Sequence, residues 1–245
     1  MLLRAPIALW RLVRLVLHVL HGLLIVWLRF PSLDKAQRHA RIGWWSRKLL
    51  ALLGVALRLS GTGRPGAKLV IANHVSWLDI AAMHAVLPEA RFVSKADIKH
   101  WPVVGMLVSG AGTLFIERAS KRDALRVVHQ TAEALKDGDT VAVFPEGTTG
   151  AGPEPLPFHA NLLQAAIATE LPIQPVVLRW HEPHERFSTA ARFIGDTTLL
   201  QSLWRIASAR GLGIEIAILP AVATAHADRR ALAEHLREQI GRALA

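Results

Sequence analysis

The sequence predicts an α/β fold: a largely parallel sheet covered by helices, preceded by an N-terminal membrane-associated two-helix segment. Three observations predict it. From residue 67 onward, short β-branched apolar runs alternate with longer helical patterns, as expected for strands joined by helical crossovers. Basic charge is concentrated at the start: residues 1–60 hold ten Lys/Arg and one acid, a net +9, while the remainder carries +1. A segment rich in glycine and proline, Ser60-Gly-Thr-Gly-Arg-Pro-Gly66, separates the two parts.

The 245 residues have room for one sizeable domain and an appendage. With 51% hydrophobic residues and a mean hydropathy of +0.29, the chain is more apolar than a soluble enzyme needs. It contains no cysteine, which excludes disulfides and cysteine metal ligands and is compatible with a reducing compartment. A basic, apolar segment points either to nucleic acid or to an anionic membrane. Trp10, Trp27, Trp44 and Trp45 among long Leu/Val runs favour the membrane, and no nucleic acid partner is expected.

Residues 5–30 predict the first helix. Its longest uncharged run, Leu15–Leu28, has fourteen residues interrupted by His18, His21 and Gly22; a straight span needs about 20. Arg11, Arg14, His18 and His21 recur at helical spacing as a polar stripe. The expected placement is therefore a helix lying in or dipping into one leaflet. A spanning helix lengthened by snorkelling arginines is the alternative, and a cleaved signal peptide a third. Phe30-Pro31-Ser32 ends this helix, and Ser32 is the expected cap of a second one over Leu33–Leu59. That helix is basic in front and apolar over Leu49–Leu57. The organisation read from this is a membrane-anchoring segment 1–60, a linker 61–66 and an α/β domain 67–245. Within the domain, strands are expected at 68–72, 91–94, 113–116, 140–144, 173–179 and 213–219. Helices are expected at 77–87, 102–109, 120–136, 159–169, 198–209 and 227–243, the last amphipathic with mixed charges.

The chemistry is expected in Ile71-Ala-Asn-His-Val-Ser-Trp-Leu-Asp79, where the strand Lys68–Ile71 hands over to a helix. Strand-to-helix junctions are where α/β folds commonly place reacting groups. A histidine five residues before an aspartate meets it if the intervening turn curls back. The carboxylate of Asp79 would then fix the tautomer of His74 and leave the second ring nitrogen to take a proton from a hydroxyl. No Gly-x-Ser-x-Gly elbow and no cysteine is present, so the pair points to direct transfer onto a substrate hydroxyl. His-x4-Asp alone also fits a helix N-terminus carrying a satisfied histidine.

Three further stretches follow in order: Gly112-Thr-Leu-Phe-Ile-Glu-Arg118, Phe144-Pro-Glu-Gly-Thr-Thr149 after the strand Thr140–Val143, and Leu171-Pro-Ile-Gln-Pro-Val-Val-Leu178. Together with the His74 stretch, they resemble the four sequence blocks of the glycerolipid acyltransferase family, over about residues 65–180. The resemblance implies an acyl chain passed from an acyl thioester, on coenzyme A or acyl carrier protein, to the 2-hydroxyl of lysophosphatidic acid. The product would be phosphatidic acid, made for phospholipid biosynthesis at the cytoplasmic face of a bacterial inner membrane. It implies His74 and Asp79 as catalytic residues, and Lys95, Arg118, Glu146, Gly147 and Thr148 as substrate-binding residues. No metal and no cofactor beyond the thioester co-substrate is expected.

Arg118 presents a planar fork suited to a phosphate, and Gly147 lets the backbone approach a ligand or a developing oxyanion closely. A carboxylate repels phosphate, so Glu146 is expected to meet a hydroxyl or a positive side chain. Pro172 and Pro175 shape either a wall of an acyl channel or an ordinary core strand. His181-Glu-Pro-His184 is not a helical metal-ligand face. Two positions depart from the family pattern: Thr149 stands where relatives often have Arg, and His159 where they often have Lys or Arg. Both remove permanent charge and leave open another lysolipid acceptor, such as a lyso-ornithine lipid. A non-catalytic lipid-binding membrane protein on the same scaffold is the reading from another class.

Overall fold

The computed structural model describes residues 4–116 and 121–245. One seven-stranded sheet organises the chain, in the order β1-β7-β6-β2-β5-β3-β4. The strands are β1 (Ala56–Ser60), β2 (Lys68–Ala72), β3 (Ala90–Lys95), β4 (Leu114–Ile116), β5 (Thr140–Val143), β6 (Ile173–His181) and β7 (Gly213–Ile218). All neighbouring pairs run parallel except β6–β7. The helices are α1 (Ala5–Leu24), α2 (Lys35–Leu53), α3 (Asp79–Val86), α4 (Val104–Gly110), α5 (Lys121–Lys136), α6 (Gln164–Thr169), α7 (Leu199–Ser208) and α8 (Arg229–Leu244).

Alternation along the central strands builds two cores, because successive side chains point to opposite faces. Val70, Ala72, Ala142, Val176, Leu178 and Trp180 face one core, which α2, α3 and α7 complete with Leu50, Met83 and Ile206. Leu69, Ile71, Val141, Val143, Ile173 and Val177 face the other, closed by α6 and by Leu232, Leu236 and Ile240 of α8. Burial on both faces explains why these strands read as continuous apolar runs.

The N-terminal segment differs from expectation in three ways. First, the second helix stops at Leu53, not Leu59. Gly54 adopts a left-handed conformation (φ 77°) that ends it, and Ala56–Ser60 becomes β1, an edge strand parallel to β7. The apolar run Leu49–Leu57 suits helix and strand alike, and Gly54 divides it. Second, Asp34, not Ser32, caps α2, in a reciprocal box with Gln37.

Third, Arg11 and His18 of the polar stripe of α1 face the protein, while His21 is exposed. Arg11 donates to the carbonyls of Ala207 (2.9 Å) and Ala209 (3.2 Å), at the end of α7, where a cation is favoured. His18 stacks on Trp45, and each ring exchanges a hydrogen bond with the other's backbone carbonyl. The outward face is apolar, with Leu9, Trp10, Leu17, Leu20 and Trp27 exposed, Trp10 by 61% and Trp27 by 70%. The helical stretch Ala5–Ser32 is long and apolar enough to cross a membrane by length and composition. By contrast, α2 packs its apolar face onto α3.

Candidate active site

His74 sits just beyond the C-terminal end of β2, in a loop whose backbone groups are accounted for. The side-chain amide of Asn73 pairs with both backbone groups of Leu178, donating to the carbonyl (2.9 Å) and accepting from the N–H (2.8 Å), so it extends the β2–β6 ladder by one rung. The His74 N–H donates to Glu146 Oε1 (2.8 Å), and its carbonyl accepts from the Gly150 N–H (2.7 Å). The Val75 carbonyl accepts from the Phe193 N–H (3.0 Å).

The turn does curl back. Asp79, fully buried at the start of α3, places Oδ2 2.8 Å from His74 Nδ1. The same oxygen accepts from the backbone N–H of Val75 (2.7 Å) and Ser76 (2.8 Å). Oδ1 accepts from the indole N–H of Trp180 on β6 (2.6 Å). With Oδ2 accepting, His74 carries its hydrogen on Nδ1, and the carboxylate fixes that tautomer. The His74 ring stacks on Phe144 (centroids 3.9 Å apart, planes at 9°). Its side chain is 16% exposed, and among the described residues nothing hydrogen-bonds Nε2. The group thus has one nitrogen committed and one free for a substrate proton.

Phe144-Pro-Glu-Gly-Thr-Thr149 leaves β5 beside this loop. Glu146 is buried, and its two oxygens accept from the His74 N–H and the Leu156 N–H (3.1 Å). It meets backbone amides, where a hydroxyl or a positive side chain was expected. Burial pushes its carboxyl up to about 7, against the two backbone donors, which pull it down. Gly147 has a positive φ (70°), and a Cβ there would lie 3.0 Å from the His159 ring, so this turn requires glycine. The Gly147 N–H is taken by the Phe144 carbonyl (3.1 Å). No described acceptor takes the N–H groups of Thr148 or Thr149. Thr148 is exposed, and the Thr149 hydroxyl donates to the Phe193 carbonyl.

Lys95 ends β3 with an exposed side chain, on the strand-end side of the sheet that carries His74, but β5 lies between β3 and β2. Arg118 lies outside the described residues. The structure thus brings together His74, Asp79, Glu146 and Gly147. It adds Asn73 and Phe144, which lie inside the sequence blocks but had no role assigned, and Trp180, which lies outside them.

Residues 62–179 match the family model described as Acyltransferase. The chain is 38% identical over 208 residues to a 1-acyl-sn-glycerol-3-phosphate acyltransferase of Neisseria gonorrhoeae, covering 84% of this chain and 81% of that protein. It is 35% identical over 217 residues to a lyso-ornithine lipid O-acyltransferase of Pseudomonas aeruginosa, covering 88% and 83%. A crystal structure of the 1-acyl-sn-glycerophosphate acyltransferase from Thermotoga maritima aligns with a TM-score of 0.68 at 20% identity over 96% of each chain, a likeness of fold.

Proposed function

The chain belongs to the acyltransferase family, and on that premise we propose that it acylates the 2-hydroxyl of lysophosphatidic acid from an acyl thioester, giving phosphatidic acid. The observation that carries this is the His74–Asp79 pair, closed at 2.8 Å, with Nε2 bonded by none of the described residues. His74 Nε2 takes the proton of the glycerol 2-hydroxyl as that oxygen attacks the thioester carbonyl. Asp79 stabilises the resulting imidazolium. The tetrahedral oxyanion is met by backbone N–H groups of the turn after β5, those of Thr148 and Thr149. Collapse breaks the carbon–sulfur bond, and the departing thiolate recovers the proton from His74. The products are an ester and a free thiol.

Lys95, at the end of β3, and Arg118 hold the acceptor phosphate in this scheme. The donor is carried on coenzyme A or acyl carrier protein. Glu146 shapes the site by holding the His74 backbone. The apolar outer face of α1 and the +9 charge of residues 1–60 support attachment to the anionic cytoplasmic face of a bacterial inner membrane.

The second reading is acylation of a lyso-ornithine lipid. It is favoured by Thr149 and His159, which leave the turn after β5 without a permanent cation, and by the similarity to the Pseudomonas protein. The test is thiol release from an acyl thioester by the detergent-purified protein, with lysophosphatidic acid or lyso-ornithine lipid as acceptor. Release driven by lysophosphatidic acid and abolished in a folded His74→Ala variant supports the first reading. Preference for the ornithine acceptor transfers the function to the second. Release indifferent to His74 refutes the mechanism.

A further inference from the structure

We propose that Trp180 is a positioning residue for the catalytic pair: its indole N–H holds the Asp79 carboxylate so that Oδ2 faces His74. This rests on the acyl-transfer reading of the site and adds a residue to it. The two oxygens of Asp79 are unequally supported. Oδ2 accepts from His74 Nδ1, Val75 N–H and Ser76 N–H, whereas among the described residues Oδ1 accepts only from Trp180 Nε1, at 2.6 Å. An indole N–H donates and cannot accept, so the direction of this bond is fixed. Asp79 is fully buried and Trp180 is 2% exposed. Without the indole, Oδ1 would be a buried charged acceptor lacking a donor.

The placement of Trp180 fits this role. It lies in β6 beyond the rung where Asn73 grips Leu178, so one strand holds both the backbone before His74 and the carboxylate after it. Its ring is packed in the core shared by α3 and α7. The carboxylate that orients His74 therefore takes its own orientation from the sheet. Glu146, the other carboxylate beside His74, is occupied by its two backbone donors and does not reach Trp180.

The consequence of removing the donor is directional. A carboxylate that loses a hydrogen bond becomes more basic, so the His74–Asp79 pair keeps its proton to higher pH. Trp180→Phe keeps an aromatic ring and deletes the N–H. The expected result in the thiol-release assay is kcat lower by about 10- to 100-fold, the range for a hydrogen bond to a charged group. KM for the lysolipid should stay unchanged, and the acid limb of the rate profile should move to higher pH. A purely structural tryptophan would lower the amount of active protein and leave the limb in place.

A double-mutant cycle keeps the idea testable if the exchange is poorly tolerated. In Asp79→Asn, the amide must direct either its NH2 toward the Trp180 N–H or its NH2 toward the three Oδ2 donors. The first arrangement is the less disruptive, so deleting the indole N–H should then relieve a donor–donor conflict. Trp180→Phe should therefore lower the melting temperature less in Asp79→Asn than in the wild type. Equal losses in both backgrounds, unfolding in both, or an unmoved acid limb with undiminished kcat would overturn the proposal. Thiol release that survives His74→Ala would instead overturn the acyl-transfer reading on which it rests.

Discussion

Replacing Glu146 by glutamine should change how stability depends on pH. Unfolded, this carboxyl titrates at about 4.5; folded, burial pushes it to about 7. Below the lower value both states hold the proton, and the folded state has its full advantage. Between the two values only the folded state holds it, so stability falls as pH rises through that window, and above the upper value the loss is complete. At about 1.4 kcal/mol per pKa unit, the loss is at most about 3 kcal/mol. Glutamine does not titrate, but its NH2 must face one of the two backbone N–H groups that the carboxylate accepts, a conflict that lowers its stability by the same amount at every pH. The variant should therefore melt below the wild type at pH 5, and the wild type's advantage should shrink towards pH 8 by up to roughly 6–12 °C for a chain of this length. The assay is thermal melting of both proteins in one detergent from pH 5 to 8. A gap that stays constant across the range would refute the reasoning. It would mean that the His74 and Leu156 N–H groups, not burial, govern this carboxyl.

Two further outcomes are expected. Asn73→Leu strips the Leu178 N–H and carbonyl of their side-chain partners in a buried setting. Unfolding in urea should show a loss of about 2–4 kcal/mol, and an unchanged midpoint would show that β6 does not need this rung. Charging the outer face of α1 with Leu17→Glu and Leu20→Glu removes exposed apolar surface. Flotation with phosphatidylglycerol vesicles should fall at least tenfold while thiol release in detergent is retained; undiminished flotation would place the membrane contact elsewhere.

What the sequence made legible follows from distance along the chain. The His74–Asp79 pair spans five residues, so spacing alone puts the carboxylate within reach of the ring. The buried strands announce themselves by β-branched runs. Glu146 is adjacent to His74 only through a backbone amide 72 residues away, and no side-chain pattern encodes such a partner. Trp180 reaches Asp79 from 101 residues away and reads as one more apolar residue of a core strand. On α1, spacing located the polar stripe but not what it faces: the C-terminal carbonyls of α7 and the ring of Trp45 supply partners that periodicity does not reveal. The strand at Ala56–Ser60 was hidden because its apolar residues continue the preceding helix, and only Gly54 marks the change.

That strand sets an order of events during synthesis. Its partner strand begins at Gly213, some 157 residues later. At about 5–20 residues per second, β1 leaves the ribosome roughly 10–30 s before β7 exists to pair with it. Throughout that interval the catalytic sheet lacks its edge, while the apolar helix ahead of it is already free to find lipid. Attachment to the membrane can thus precede closure of the sheet, and the last strand would dock against a chain already tethered.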